Sequence, residues 1–142
     1  MIELLRRAGP VAKRCGCELH VAGYDTEQLA GQLGEATVLH GTVSADQLAR
    51  LMTTARGALI WQRSGSGALT RIAECLLTGL PVLANEIAAR SYHHFPGVHL
   101  FRSADELAEL MAADLPMTPA PARPVKDETR FIECLRSLAS ES

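Results

Sequence analysis

A chain of 142 residues has room for one domain of ordinary size, and with 47% hydrophobic against 21% charged residues it can bury a core instead of staying disordered. The 14 Lys and Arg against 16 Asp and Glu give a formal net charge of −2, and aromatics make up only 4%, so a generic phosphate-backbone binder and a base-stacking platform are both discounted. The most apolar stretch, 72–84, is interrupted by Glu74, Thr78, Gly79 and Pro81, so no membrane span is expected. The opening Met1-Ile2-Glu3-Leu4-Leu5-Arg6-Arg7 has the wrong order of charge and apolarity for a secretory signal, which makes the cytoplasm the expected compartment. Cys15, Cys17, Cys75 and Cys134 lack the paired spacing of a four-ligand zinc site and read as idle thiols.

Residues 2–15 have helical apolar spacing, but Gly9-Pro10 predicts a break or kink there. A strand is predicted over 18–23, then a weakly marked helix from Asp25-Thr26-Glu27-Gln28 with Leu29 and Leu33, then a strand over 37–40. Ser44-Ala45-Asp46-Gln47 has the form of a capping box ahead of Leu48, Leu51, Met52 and Ala55. After a strand over 58–61, residues Leu69, Ile72, Ala73, Leu76 and Leu77 form one helical face between Gly67 and Thr78. Gly79 and Pro81 then stop that helix and lead into a strand over 81–84. A last strand covers 98–101, and Ser103-Ala104-Asp105-Glu106 starts a helix carrying Leu107, Leu110 and Met111. Pro116, Pro119, Pro121 and Pro124 read as an extended connector over 116–125. An amphipathic helix follows within 126–142, with Phe131, Ile132, Leu135 and Leu138 on its apolar side, expected to pack on the domain or on a partner. Strands alternating with helices over 1–115 predict an α/β domain built on a mostly parallel five-stranded sheet.

One constellation can carry chemistry. Trp61-Gln62-Arg63-Ser64-Gly65-Ser66-Gly67 lies between a buried strand and a helix, where open α/β sheets place their ligands. Small residues let backbone approach a ligand, and the free N–H groups of a helix N-terminus favour an anion such as a pyrophosphate. Arg63 or Arg71 can add charge, and Glu74 can accept hydrogen bonds from vicinal sugar hydroxyls. A plain strand-to-helix turn with a solvated Glu74 accounts for the same local features. Neither the dinucleotide G-x-G-x-x-G nor a P-loop Gly-Lys-Ser/Thr is present. His93, His94 and His99 lack metal-ligand spacing, since adjacent histidines point in different directions, and residues 92–96 read as a semi-exposed turn.

The run from Gly65-Ser66-Gly67-Ala68 through Glu74 to Gly79-Leu80-Pro81-Val82-Leu83-Ala84 resembles the donor-site signature of GT-B glycosyltransferases, particularly the retaining group 1 (family 4) enzymes. His40-Gly41-Thr42-Val43-Ser44 with Gln47-Leu48, Val21-Ala22-Gly23 and the segment 103–110 are similar to other family segments in the same order, so the resemblance runs over about residues 2–111. It implies a Rossmann-like three-layer domain that binds a nucleotide-sugar or nucleoside diphosphate. Ser64, Gly65, Ser66, Gly67 and Ala68, with Arg71, would line the diphosphate; Glu74 would hold the ribose; and His40, Gly41, Thr42 and Val43 would lie near the base. No cofactor or metal is implied beyond the donor itself.

The departures are specific. The family's glutamate pair is spaced eight apart, and Ser66 stands eight before Glu74, so the carboxylate that meets the transferred sugar is replaced. The resemblance omits the family's acceptor domain and the first, central strand of its donor domain. A separate acceptor-domain protein is therefore an expected partner for retaining transfer. A non-catalytic module kept for binding or assembly is the alternative. The strands at 18–23 and 58–61 are expected either to pair directly, in the order 2-1-3-4-5, or to be bridged by another chain, with a homodimer as one way to cover the remaining apolar surface.

Overall fold

The computed structural model describes residues 2–34, 36–123 and 125–140, with the side chain of Ser140 left aside. Met1, Pro124 of the expected connector, and Glu141 and Ser142 of the last expected segment lie outside the described residues. The elements are α1 (Ile2–Arg14), β1 (Leu19–Ala22), a 3-10 turn (Thr26–Leu29), β2 (Thr37–Gly41), α2 (Ala45–Thr54), β3 (Ala58–Ile60) and α3 (Thr70–Leu77). They continue with β4 (Val82–Asn85), α4 (Glu86–Ala89), β5 (Val98–Phe101), α5 (Ala104–Ala112) and α6 (Val125–Ser140).

The chain is α/β and Rossmann-like, with every ladder parallel. Its five strands divide into two sheets, β1-β2 and β3-β4-β5. Direct pairing in the order 2-1-3-4-5 does not occur: among the described residues β1 and β3 share no ladder, and a cavity of about 1110 Å³ lined by both strands lies between them. The ladder β3-β4-β5 is in register from Ala58 opposite Val82 to Asn85 opposite Phe101.

Helices cover both faces of the strands, and the period of two sorts the side chains between them. Val82 and Ala84 join Ile72, Cys75 and Leu76 of α3 with Ala88 and Ala89 of α4 in one cluster. Leu83, between them in sequence, turns the other way and meets Ala8 of α1, Leu107 of α5 and Phe101. A strand buried on both faces reads as a continuous apolar run, which is why 81–84 carries no polar alternation. Full burial of a side chain such as Leu83 is worth about 1.5–3 kcal/mol.

Several local expectations are corrected. Helix α1 continues unbroken through Pro10. Gly9 has no Cβ to meet the proline ring, and the buried face of Leu5, Ala8, Val11 and Ala12 holds the helix against the body of the domain. Gly9 also sits where a Cβ would lie 3.2 Å from Thr37 Oγ1, so the same residue admits the close approach of α1 to β2. The segment after Asp25 closes only a 3-10 turn, because Asp25 adopts a left-handed conformation and makes no side-chain cap. Helix α3 begins at Thr70, one residue after Leu69, the first residue of its apolar face, and α4 has no counterpart in the sequence reading. The proline-rich segment does not hang free. Thr118 N–H donates to Gly79 O at 3.1 Å, and Thr118 lies so close to Gly79 and Gly97 that neither has space for a Cβ. Helix α6 forms where expected, but Phe131, Ile132, Leu135 and Leu138 on its apolar side are all exposed.

Candidate functional site

Parallel strands bring their carboxyl ends to one edge of the fold, and the loops that leave them gather there. From β3, residues 61–69 make the turn into α3, in which Ser64, Gly65, Ser66, Gly67 and Ala68 are all exposed. Gly65 and Gly67 have φ of 146° and 79°, values that L side chains rarely adopt, and the Gln62 amide lies where a Cβ on Gly65 would be. These glycines let the chain reverse tightly with its backbone bare to solvent. Leu69, at the N-cap of α3, offers no side-chain cap. The first N–H groups of the helix therefore keep the unsatisfied donor character that favours an anion.

Arg71 and Glu74 lie in the first turn and a half of α3. They bridge each other, Arg71 Nη1 to Glu74 Oε2 at 2.5 Å, with both side chains about half exposed. An exposed i,i+3 pair of this kind contributes a few tenths of a kcal/mol to the helix, so a ligand can displace it at small cost. From β2, Gly41 is buried against the 3-10 turn, and a Cβ there would stand 2.8 Å from Glu27 Oε2. Thr42 and Val43 follow it. Val43, Arg71 and Trp61 line the large cavity between β1 and β3, whereas Gly41, Glu74 and the residues Ser64 to Ala68 are not on its wall. His40 and Val43 share a second, small hollow of about 280 Å³ with Gln47 and Arg50 of α2. His40 also stacks on His20 of β1, ring nitrogens 2.9 Å apart. Among the described residues no three His, Cys, Asp or Glu converge as a metal site; His93, His94 and Phe95 instead pack their rings against one another.

Sequence reasoning missed what holds the turn. Asn85 at the end of β4 accepts from Gln62 N–H at 3.0 Å, donates Nδ2–H to Gln62 O at 2.8 Å, and accepts from Ala88 N–H at 3.3 Å as the N-cap of α4. One amide thus ties the start of the glycine turn to the neighbouring strand. Arg90 Nη1 donates to Gln62 Oε1 at 2.8 Å and to Ile87 O, which places a guanidinium behind the turn. Its Nε and Nη2 are buried without a protein partner among the described residues. An Asn closing an apolar strand directly before Glu86 is an N-cap signal, so Asn85 was detectable; the long reach of Arg90 to Gln62 was not.

Cys75, on the buried side of α3, lines the cavity wall as well. Burial pushes its thiol up from the ordinary range, with Arg71 opposing and Glu74 adding to the shift, so it behaves as a small apolar side chain and not as a nucleophile.

Among solved structures, the chain is similar to AviGT4, a glycosyltransferase involved in avilamycin A biosynthesis, at a TM-score of 0.65 and 18% identity. The likeness covers 96% of this chain and 48% of that protein, so the chain spans about half the neighbour's length. No protein-family profile and no curated protein matches the sequence. The fold is therefore glycosyltransferase-like, and no helix among the described residues is long and apolar enough to cross a membrane.

Proposed function

We propose that this chain is the nucleotide-sugar, or nucleoside diphosphate, binding half of a GT-B glycosyltransferase of the retaining group 1 type, needing a separate acceptor domain for transfer. The observation that carries the reading is the exposed glycine turn at the carboxyl end of β3, leading into an uncapped α3 with Glu74 one turn further on. Backbone N–H groups of the turn and helix meet the diphosphate, Arg71 leaves Glu74 to add charge, and the freed Glu74 carboxylate accepts from the ribose hydroxyls. This supplies the counter-charge from the chain itself, without a metal ion. His40, Gly41, Thr42 and Val43, at the neighbouring carboxyl end, face the base in this reading. A cytoplasmic setting goes with it.

Ser66 favours a second reading. A hydroxyl cannot supply the negative charge that a carboxylate gives at that position, so the site can bind a donor without supporting transfer, as in a non-catalytic module. A module kept for assembly does not require the ligand, whereas the enzyme and a module kept for binding both do. Thermal unfolding against UDP, GDP, ADP, TDP and their sugar conjugates tests them together, since a ligand at 100 times its dissociation constant adds about 2.7 kcal/mol. The expected result is a raised midpoint with one nucleotide series, lost in Glu74→Ala. No shift with any nucleotide at millimolar concentration overturns the donor site. Transfer restored only by adding an acceptor-domain protein separates the enzyme from the module.

A further inference from the structure

β4 is paired on both sides and its Val82, Leu83 and Ala84 are buried, whereas β1 and β3, each paired on one side, are only partly covered. The uncovered edges of β1 and β3 both face the cavity of about 1110 Å³, whose lining includes every residue of the two strands. Hydrogen-bond direction alternates along a strand, which identifies the groups on each edge. Leu19 N–H and Gly23 N–H donate to Ala36 O and Gly41 O on the β2 side, so the N–H groups of His20 and Ala22 point toward the cavity. Ala58 N–H donates to Pro81 O and Gln62 N–H to Asn85, so those of Leu59 and Trp61 point toward it from the other side. Arg56 fixes the end where the strands begin, with Nη1 3.2 Å from Cys17 Sγ and Nη2 3.3 Å from Ala113 O.

From these edges we infer that the cavity is a docking slot for one extended apolar β-strand supplied from outside these 142 residues, which would join β1-β2 and β3-β4-β5 into a single sheet. Two rows of backbone donors and acceptors facing each other can be satisfied at once by an extended peptide, and by no compact ligand. The slot is walled by Leu5, Leu110 and Met111 on the α1 and α5 side and by Met52, Leu51 and Cys75 on the α2 and α3 side. The strand must therefore be apolar on both faces, a continuous run of Val, Ile or Leu and not an alternating one, and it runs parallel to its neighbours as helix-covered strands do. The flanking β1 has four residues, which sets a core of about four to six residues at about 3.3 Å each. Each run of this kind within the 142 residues is already one of the five strands, so a second copy has none to spare. The strand therefore comes from outside these 142 residues. The inference stands whether or not a nucleotide binds.

The probe is an N-acetylated, C-amidated peptide, Lys-Gly-Val-Ile-Val-Leu-Val-Gly-Lys, added to the 142-residue protein; its control carries proline at the centre. Trp61 is the chain's one tryptophan and lines the slot, so its fluorescence reports occupancy. The expected result is a blue shift together with exchange slowed about tenfold or more at the amides of His20, Ala22, Leu59 and Trp61, with the Leu19 amide unchanged and the proline peptide inert. Three outcomes overturn the inference. One is no protection by the apolar peptide at millimolar concentration. Another is protection of the four amides in the free protein at every concentration, which means β1 and β3 close on each other. The third is protection that rises with protein concentration alone, which means a second copy fills the slot.

Discussion

Asn85 makes three hydrogen bonds to the backbone and carries no charge, so its replacement by alanine isolates the anchoring of the glycine turn from any contact with a ligand. Asn85→Ala leaves Gln62 N–H, Gln62 O and Ala88 N–H without that partner in a partly buried setting, and each unsatisfied group costs about 1–3 kcal/mol when water cannot replace it. The expected loss is about 2 kcal/mol in a urea melt, with nucleotide affinity falling alongside; an unchanged midpoint would show that the turn holds itself. Gly97 has φ of 86° with Thr118 pressed against its open side. Gly97→Ala should cost about 1–3 kcal/mol, and adding Thr118→Ala should recover only the contact part, leaving the backbone part. Cys75 gives a pH dependence. Burial holds its folded thiol above the unfolded value of about 8.5, so its contribution is complete below that pH and declines as pH rises toward the folded value. The wild type should therefore lose more stability between neutral and alkaline pH than Cys75→Ala does in paired urea melts.

At the scale of elements, capping chemistry was the most legible signal in the sequence. Ser44 and Gln47 form the reciprocal box expected of them, at 3.2 and 2.9 Å. Ser103 caps α5 through Glu106 N–H, but the Glu106 carboxylate reaches back one residue further, to Arg102 N–H at 2.6 Å. Ser44→Ala should cost about 1 kcal/mol. The apolar run of β4 was readable because a parallel strand covered on both faces leaves few polar positions, whereas β2 and β5 carry Thr37, His40 and His99 among their apolar residues. What local pattern misjudged was Pro10, where tertiary burial of α1 outweighs a missing hydrogen bond. That bond is still missing. Pro10 is exposed, so Pro10→Ala restores a donor for the helix without disturbing packing and should raise stability by about 1–3 kcal/mol in a urea melt.

At the scale of the whole molecule, the lateral arrangement of strands was not legible, since runs of Val, Ile and Leu specify that a strand is buried and not which strand lies beside it. The division between β1 and β3 and the seating of Thr118 on Gly79 depend on contacts across 40 residues or so, beyond any local period. The glycine turn was legible, because its signal is local, and Asn85 was detectable as an N-cap; the convergence of Asn85 and Arg90 on Gln62, from the ends of β4 and α4, was not. The same contacts decide where the stability of the chain resides. The described side chains of α6 include none that is buried, and its apolar residues are exposed, whereas residue 118 is bonded to the turn that begins β4. Removing residues 125–142 should therefore leave the unfolding free energy within about 0.5 kcal/mol of the full chain, as surface changes do. Removing residues 116–142 takes Thr118 as well. It breaks the bond to Gly79 O and uncovers the starts of β4 and β5, so this second truncation should cost about 1–2 kcal/mol more than the first. Equal midpoints for the two truncations would mean that the proline-rich segment lies on the domain without holding it.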